Sequence, residues 1–323
     1  MSNTPKKILL SGVKPTGRPH IGNYFGAMKQ FVDLQGDYDS YIFIADLHAL
    51  TTVQNGLEMK QAILDVALDY LAIGLDPERI TLFKQSDVPQ VTELGWIFNC
   101  LTTMPYLMRA HAFKDAEAKN KEINVGLFDY PLLMAADILL PDADVVPVGQ
   151  DQKQHVEIAR DTAEKFNRIF GQETFKNPEA LILSDVAVVP GIDGQKMSKS
   201  HHNTIPLFAS DEEITKLVMG IVTDSSGGEP VNVRAIHSLL RDSAYLDSLY
   251  TEKKGKYKEL KEALAADLIA FITPLRNKRE ALASNMGRVI DILHKGGEKA
   301  CARAEAKMLK VRQAIGVGIY GKA

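Results

Sequence analysis

Three stretches of this 323-residue chain combine residue types that can do chemistry. The longest, Tyr130 to Gln154 (YPLLMAADILLPDADVVPVGQDQKQ), reads as a helix, a strand and a polar turn led by glycine. A second, Thr16 to Asn23 (TGRPHIGN), follows an apolar run and leads into a helix. Glycine there lets a phosphate approach the backbone, and a helix N-terminus offers free N–H groups at the positive end of a dipole. His20 could donate a hydrogen bond to a transferring phosphoryl group, although an ordinary strand-turn-helix corner with a surface histidine fits the same residues. The third stretch, Lys196-Met197-Ser198-Lys199-Ser200, lies downstream of Pro190, Gly191 and Gly194. Two ammonium groups on a glycine-flanked loop can reach a triphosphate as charge builds on departing pyrophosphate, provided the loop moves. A bare K-x-x-K is more often a solvated charge pair; the complete five-residue string is far more specific.

These stretches need elements to position them. Apolar runs at Ile8–Val13, Tyr41–Ala45, Ile80–Lys84 and Asp144–Val148 predict strands, with a last short strand expected at Ala187–Val189. Between them, helices are expected from about His20 to Gln35, from Gly56 to the stop at Gly74 and Pro77, and from Gln152 toward Phe166. Such alternation predicts an α/β fold with a parallel sheet and crossover helices, in which ligands bind beyond the carboxyl ends of the strands. Lys14 to Asn23 and Asp46 to His48 then share one rim. Residues 92–128 read as irregular helix broken at Met104-Pro105, with a charged, mobile loop over Lys114–Glu122. Ser210 and Glu213 form a capping box that opens a helical region with no convincing strand.

Composition narrows the class. Lys and Arg number 38 against 41 Asp and Glu, so the net charge of -3 gives no overall pull toward nucleic acid, and any RNA contact must come from local patches such as residues 253–261 and 276–279. Two distant cysteines, Cys100 and Cys301, exclude a disulfide framework and a thiolate metal cluster, and no metal-ligating cluster stands out. No run has the length of a signal-peptide core or a membrane span, so a cytoplasmic protein is expected.

An H-x-G-N corner at the amino end, followed far downstream by KMSKS, resembles the class I aminoacyl-tRNA synthetases, whose signatures are HIGH and KMSKS. The resemblance covers nearly the whole chain. It implies a Rossmann-like catalytic domain over 1–200, an all-α anticodon-binding domain over 201–296, and a final helix at about 297–323 packing back on the first. In the tyrosine and tryptophan branches a pocket helix carries a Tyr, a selecting residue four on and an Asp three further. Here these are Tyr130, Met134 and Asp137, which share one helical face. Where tyrosine enzymes typically have Gln, Met134 offers a polarizable thioether beside a carboxylate, which suits indole. Without the flanking motifs, Met134 would read as core filler and Asp137 as a surface or capping residue.

The string from Gly149 to His155 is similar to the G-x-D-Q-x-x-H turn of the tryptophan branch. The resemblance then implies Asp151 on a ribose hydroxyl, Gly149 leaving room for the sugar, and Gln152 with the Tyr130 hydroxyl on the substrate ammonium. Val146 and Val148 would wall the ring pocket, and His48 matches the pocket histidine. Alone, His48 would read as a structural residue at a strand end. ATP contacts are implied for Lys14, Pro15, Thr16, Gly22, Asn23, Gln150, Val188, Met197, Ser198 and Ser200, and catalytic roles for His20, Lys196 and Lys199. Val222–Ser225 is a further string that the family uses. Lys14 and Leu10 depart from the common Gln and Phe, and Ala116 stands where a second lysine is usual. The implied reaction joins tryptophan to tRNA(Trp) through an adenylate, using ATP with Mg2+ held mainly by phosphates and water, in a homodimer to which Phe98, Leu101, Met104 and Leu107 could contribute. Tyrosine specificity, a tRNA-independent nucleotidyltransferase and a non-catalytic regulator are the alternatives.

Overall fold

The structure is a computed structural model that describes residues 5–118, 123–149, 152–182, 189–223 and 228–319. Five strands, β1 (Ile8–Val13), β2 (Asp39–Ile44), β3 (Ile80–Lys84), β4 (Val145–Val148) and β5 (Glu179–Ile182), form one parallel sheet in the order β3-β2-β1-β4-β5. Between β1 and β4 the direction of winding reverses. In a doubly wound sheet this switch point opens a crevice beyond the strand ends, so Lys14 after β1 and Gly149 after β4 flank the place where a ligand fits.

Alternation along the strands divides the core between the two faces. Leu9, Ile42, Ile44, Ile80 and Leu82 turn to one side, where they share a core with the Gly56–Ile73 helix and, packed beyond it, the Tyr257–Ala283 and Asp211–Met219 helices. Leu10, Tyr41, Phe43, Phe83, Val146 and Val148 turn to the other, beneath the Gln90–Leu101, Val125–Leu139 and Lys153–Phe170 helices. Each such aliphatic side chain taken from water contributes about 1.5–3 kcal/mol, so both faces must be covered for the sheet to stand.

The long terminal helix, Met286–Ala314, joins the two faces. Val289 and Leu293 belong to the first core, whereas Ala300, Ala304, Met308 and Val311 belong to the second. It passes the β3 edge at Gly296, where an added Cβ would lie 1.9 Å from the Leu82 carbonyl oxygen. Only glycine fits that crossing.

Several sequence expectations need correction. The last strand is Glu179–Ile182, a short apolar run (Ala180, Leu181, Ile182) that is not among the expected strands; of the expected Ala187–Val189 strand, residues 187 and 188 lie outside the described residues and Val189 is not in a strand. His111–Ala118 is helical, so the first part of the expected Lys114–Glu122 loop is ordered structure; residues 119–122 lie outside the described residues. The terminal helix begins at Met286 rather than 297. Phe98 and Leu107 are core residues at 0% and 4% exposure, whereas Met104 is 65% exposed. Ser210 does accept the Glu213 N–H, but the Glu213 carboxylate faces Arg18 at 3.8 Å. Among the described residues, no helix is long and apolar enough to cross a membrane.

Candidate active site

The corner after β1 is built around His20. Its Nδ1 accepts the Asn23 N–H at 3.2 Å while the Asn23 side-chain oxygen accepts the His20 N–H at 3.1 Å, a reciprocal cap on the helical turn Ile21–Asn23. With Nδ1 occupied as an acceptor, a neutral ring carries its proton on Nε2. Burial, and then the positive charge of Lys199, lower the His20 pKa to about 4, so the ring is neutral at physiological pH and Nε2–H can donate. Gly22 is required by this packing: a Cβ there would lie 2.9 Å from His20 Nδ1 and 3.4 Å from Met197 Sδ.

Met197 brings the dilysine loop to the same place. Its side chain is 4% exposed in the core shared by Ile21 and Ile205, and its N–H donates to the Val189 carbonyl. The segment after the loop pairs with the corner, through Ile21 N–H to the Ile205 carbonyl at 3.0 Å and Leu207 N–H to the Pro19 carbonyl at 2.9 Å. Thus Lys199 Nζ reaches the Thr16 carbonyl oxygen at 2.5 Å. Lys14, Thr16, Gly17, Asn23, Asp69 and Lys199 line one cavity of about 240 Å³. Desolvation lowers the pKa of both Lys14 and Lys199. Two ammonium groups and a helix start around an open cavity, with the neutral His20 ring close to Lys199, are suited to receive an anion. Lys196 is different: its side chain is exposed and makes no hydrogen bond or ion pair among the described residues.

On the β2 side of the same rim, the Asp137 carboxylate accepts from His48 Nε2 at 2.8 Å and from Gln85 Nε2 at 2.9 and 3.0 Å. Asp137 and His48 are 7% and 6% exposed. Burial raises the Asp137 pKa, while the hydrogen bonds from His48 and Gln85 oppose that shift. The Tyr130 ring lies edge-on to His48, its hydroxyl is 2.9 Å from His155 Nε2, and Lys14 Nζ is 5.9 Å above its centroid. Met134 is partly buried on the same helix, and Val146 and Val148 are buried on β4. Pro15 is buried behind the corner, and Ser198 and Ser200 share a hydroxyl hydrogen bond of 2.9 Å. Gly149 accepts the Gln152 N–H at the start of the Lys153–Phe170 helix. Gln150, Asp151, Val188, Asp224 and Ser225 lie outside the described residues.

A family model described as tRNA synthetases class I (W and Y) matches residues 2–283. The chain belongs to this family. Among class I synthetases it is similar to the tryptophan–tRNA ligase of Fusobacterium nucleatum, 47% identical over 320 residues, covering 96% of this chain and 98% of that one. Its similarity to the tryptophan–tRNA ligase of Rhodopirellula baltica is 45% over 318 residues, covering 96% and 99%. The solved tryptophanyl-tRNA synthetase of Campylobacter jejuni complexed with ADP and tryptophan has a TM-score of 0.90 at 43% identity, covering 96% of this chain and 99% of that one.

In this class I synthetase several polar residues hold the site together without belonging to any motif. Asn203, 1% exposed, accepts the Ser198 N–H and donates to Asp193 and to the Lys196 carbonyl, which fixes the dilysine loop from inside. Asp69, at the cavity wall, accepts from Arg279 Nε at 2.6 Å; burial raises its pKa to about 6 against the opposing pull of Arg279. That pair ties the helical region to the cavity lined by Lys14 and Lys199. Asp46 accepts the N–H groups of Leu47 and Ser86, locking the ends of β2 and β3 together. Single Asn, Asp and Gln residues carry no periodic signal, and only the fold reveals their partners.

Proposed function

We propose that the chain is a tryptophan–tRNA ligase: it activates L-tryptophan with ATP, releasing pyrophosphate, and passes the tryptophanyl group from the adenylate to tRNA(Trp). The approach of Lys199 to the His20 corner, on the rim that also carries the buried Asp137, supports this reading most strongly. The tryptophan carboxylate attacks the α-phosphorus of Mg–ATP, so no protein nucleophile is needed. Catalysis lies in positioning and in charge stabilisation. The neutral His20 ring donates from Nε2 to the phosphate, and Lys199 follows the charge onto the departing pyrophosphate, joined by Lys196 as the loop closes. Mg2+ enters with the triphosphate and is held mainly by phosphates and water.

Lys14, Pro15, Thr16, Gly22, Asn23, Gly149, Gln150, Asp151 and Val188 serve ATP in this reading, with Met197, Ser198 and Ser200 from the loop. Asp137 accepts the indole N–H, His48, Met134, Val146 and Val148 enclose the ring, and Tyr130 with Gln152 takes the ammonium. Residues 1–200 form the catalytic domain, 201–296 the helical tRNA-binding domain, and the end of the terminal helix returns to the first. The ligase works in the cytoplasm as a homodimer, with Trp96 and Met104, 69% and 65% exposed, on the face that meets a second copy. Charging of tRNA(Trp) tests the function. Tryptophanyl-tRNA should accumulate with ATP and tryptophan, and charging by tyrosine in its place would overturn the assignment.

A further inference from the structure

Gln85 follows β3, is 1% exposed, and belongs to none of the motifs that identify the family. Its Oε1 accepts the His48 backbone N–H at 3.2 Å. That contact fixes which way the amide faces, so the NH2 group must point at Asp137, where it meets Oδ1 at 2.9 Å and Oδ2 at 3.0 Å. An ionised carboxylate has about four acceptor positions. His48 and Gln85 together fill Oδ2, and Gln85 takes one position on Oδ1, which leaves one acceptor on Oδ1. A buried Asp-His-Gln cluster set among apolar residues is costly to a core unless its members satisfy one another, as these hydrogen bonds do. Beside it lies a cavity of about 30 Å³, lined by Gln85, Asp137, Leu10, Phe43 and Phe83, large enough for a water molecule and far too small for an indole.

We propose that Gln85 is a specificity-positioning residue: its amide holds the Asp137 carboxylate so that one oxygen presents a single acceptor to the indole N–H. This rests on the reading of Asp137 as the indole acceptor. Among the described residues three groups face that carboxylate: His48 on the segment after β2, Asp46 from the same segment through its charge, and Gln85. Burial pushes the Asp137 pKa up, and the hydrogen bond from the uncharged Gln85 amide is one of the contacts that oppose that push. Without it, the carboxylate takes up a proton more readily and turns from acceptor to donor, which repels an N–H. Tryptophan selectivity then falls and becomes dependent on pH.

The test compares Gln85→Met, Gln85→Glu and Asp137→Asn in the full chain by ATP–pyrophosphate exchange with tryptophan and with phenylalanine, from pH 6 to pH 8.5. Thermal melts check folding. Gln85→Met should raise the KM for tryptophan about 10- to 100-fold, with the KM for ATP unchanged and kcat nearly so. Gln85→Glu, nearly isosteric, places two carboxylates together, so its tryptophan KM should be worst at pH 8.5 and improve toward pH 6 as the pair shares a proton. It also carries the test should Gln85→Met not fold. If Asp137→Asn loses discrimination while Gln85→Glu keeps the unmodified tryptophan KM at every pH, the role of Gln85 is overturned. If Asp137→Asn itself leaves discrimination intact, the indole reading of Asp137 fails instead.

Discussion

Replacing Lys199 by alanine separates chemistry from binding. Its ammonium lies 2.5 Å from the Thr16 carbonyl, in an exposed hydrogen bond, and lines the cavity opposite Asp69. Losing that bond costs the fold no more than about 1 kcal/mol. In the proposed reading tryptophan is recognised by Asp137 and His48, which Lys199 does not touch, so the tryptophan Kd should hold within about twofold. The departing pyrophosphate is another matter. Removing one preorganised donor from a developing anion costs about 3–4 kcal/mol, or roughly a hundred- to thousandfold in rate. Rapid-quench measurement of adenylate formation gives the chemical step, and equilibrium dialysis with labelled tryptophan gives the Kd. Lys199→Arg, which keeps the charge, should recover part of the rate. Equal losses in rate and in tryptophan affinity, or a Lys199→Arg variant as slow as Lys199→Ala, would refute the assigned role.

Three further outcomes follow from particular residues. His20 has a folded pKa near 4 against 6.5 for an unperturbed histidine, so between these values the unfolded chain binds more protons and stability falls as pH falls, by up to about 1.4 kcal/mol per pH unit. Because Asp69, with its pKa raised to about 6, contributes a slope of opposite sign, urea titrations from pH 7 to pH 4 should show the His20 slope as the difference between the unmodified chain and His20→Asn, which keeps a cap acceptor for the Asn23 N–H. Gly296→Ala drives a methyl into the Leu82 carbonyl and should cost about 1–3 kcal/mol or more in a thermal melt. Gly287→Ala in the same helix, whose nearest neighbour is an Asn285 oxygen at 4.0 Å, should be neutral or stabilising by up to about 1 kcal/mol. Trp96→Glu places charge on the exposed face assigned to the second copy and should shift sedimentation from dimer to monomer; an unchanged dimer would move the interface elsewhere.

The sheet was legible where its strands are buried on both faces. Ile8–Val13, Tyr41–Ile44, Ile80–Lys84 and Val145–Val148 are mostly apolar because helices cover both sides of them. Glu179–Ile182 at the edge is half-exposed and only four residues long, so its short apolar run Ala180–Ile182 stands out less than those of the inner strands. The charged helix His111–Ala118 likewise offered no apolar stripe. At the site, the motifs located the His20 corner, the dilysine loop and the Tyr130 helix because each combines several residues in one string. What motifs cannot show is who holds whom. Gln85, Asn203 and Asp69 are single residues whose partners lie 52, 5 and 210 positions away, and their importance exists only once the chain has folded.

The central claim, that the corner, the buried carboxylate and the dilysine loop converge on one nucleotide and one indole, is tested most directly by ATP–pyrophosphate exchange with each amino acid in turn, with and without tRNA. The account predicts exchange that depends on tryptophan, proceeds without tRNA, and collapses in Lys199→Ala. Exchange driven by tyrosine, or none with any amino acid, would contradict it.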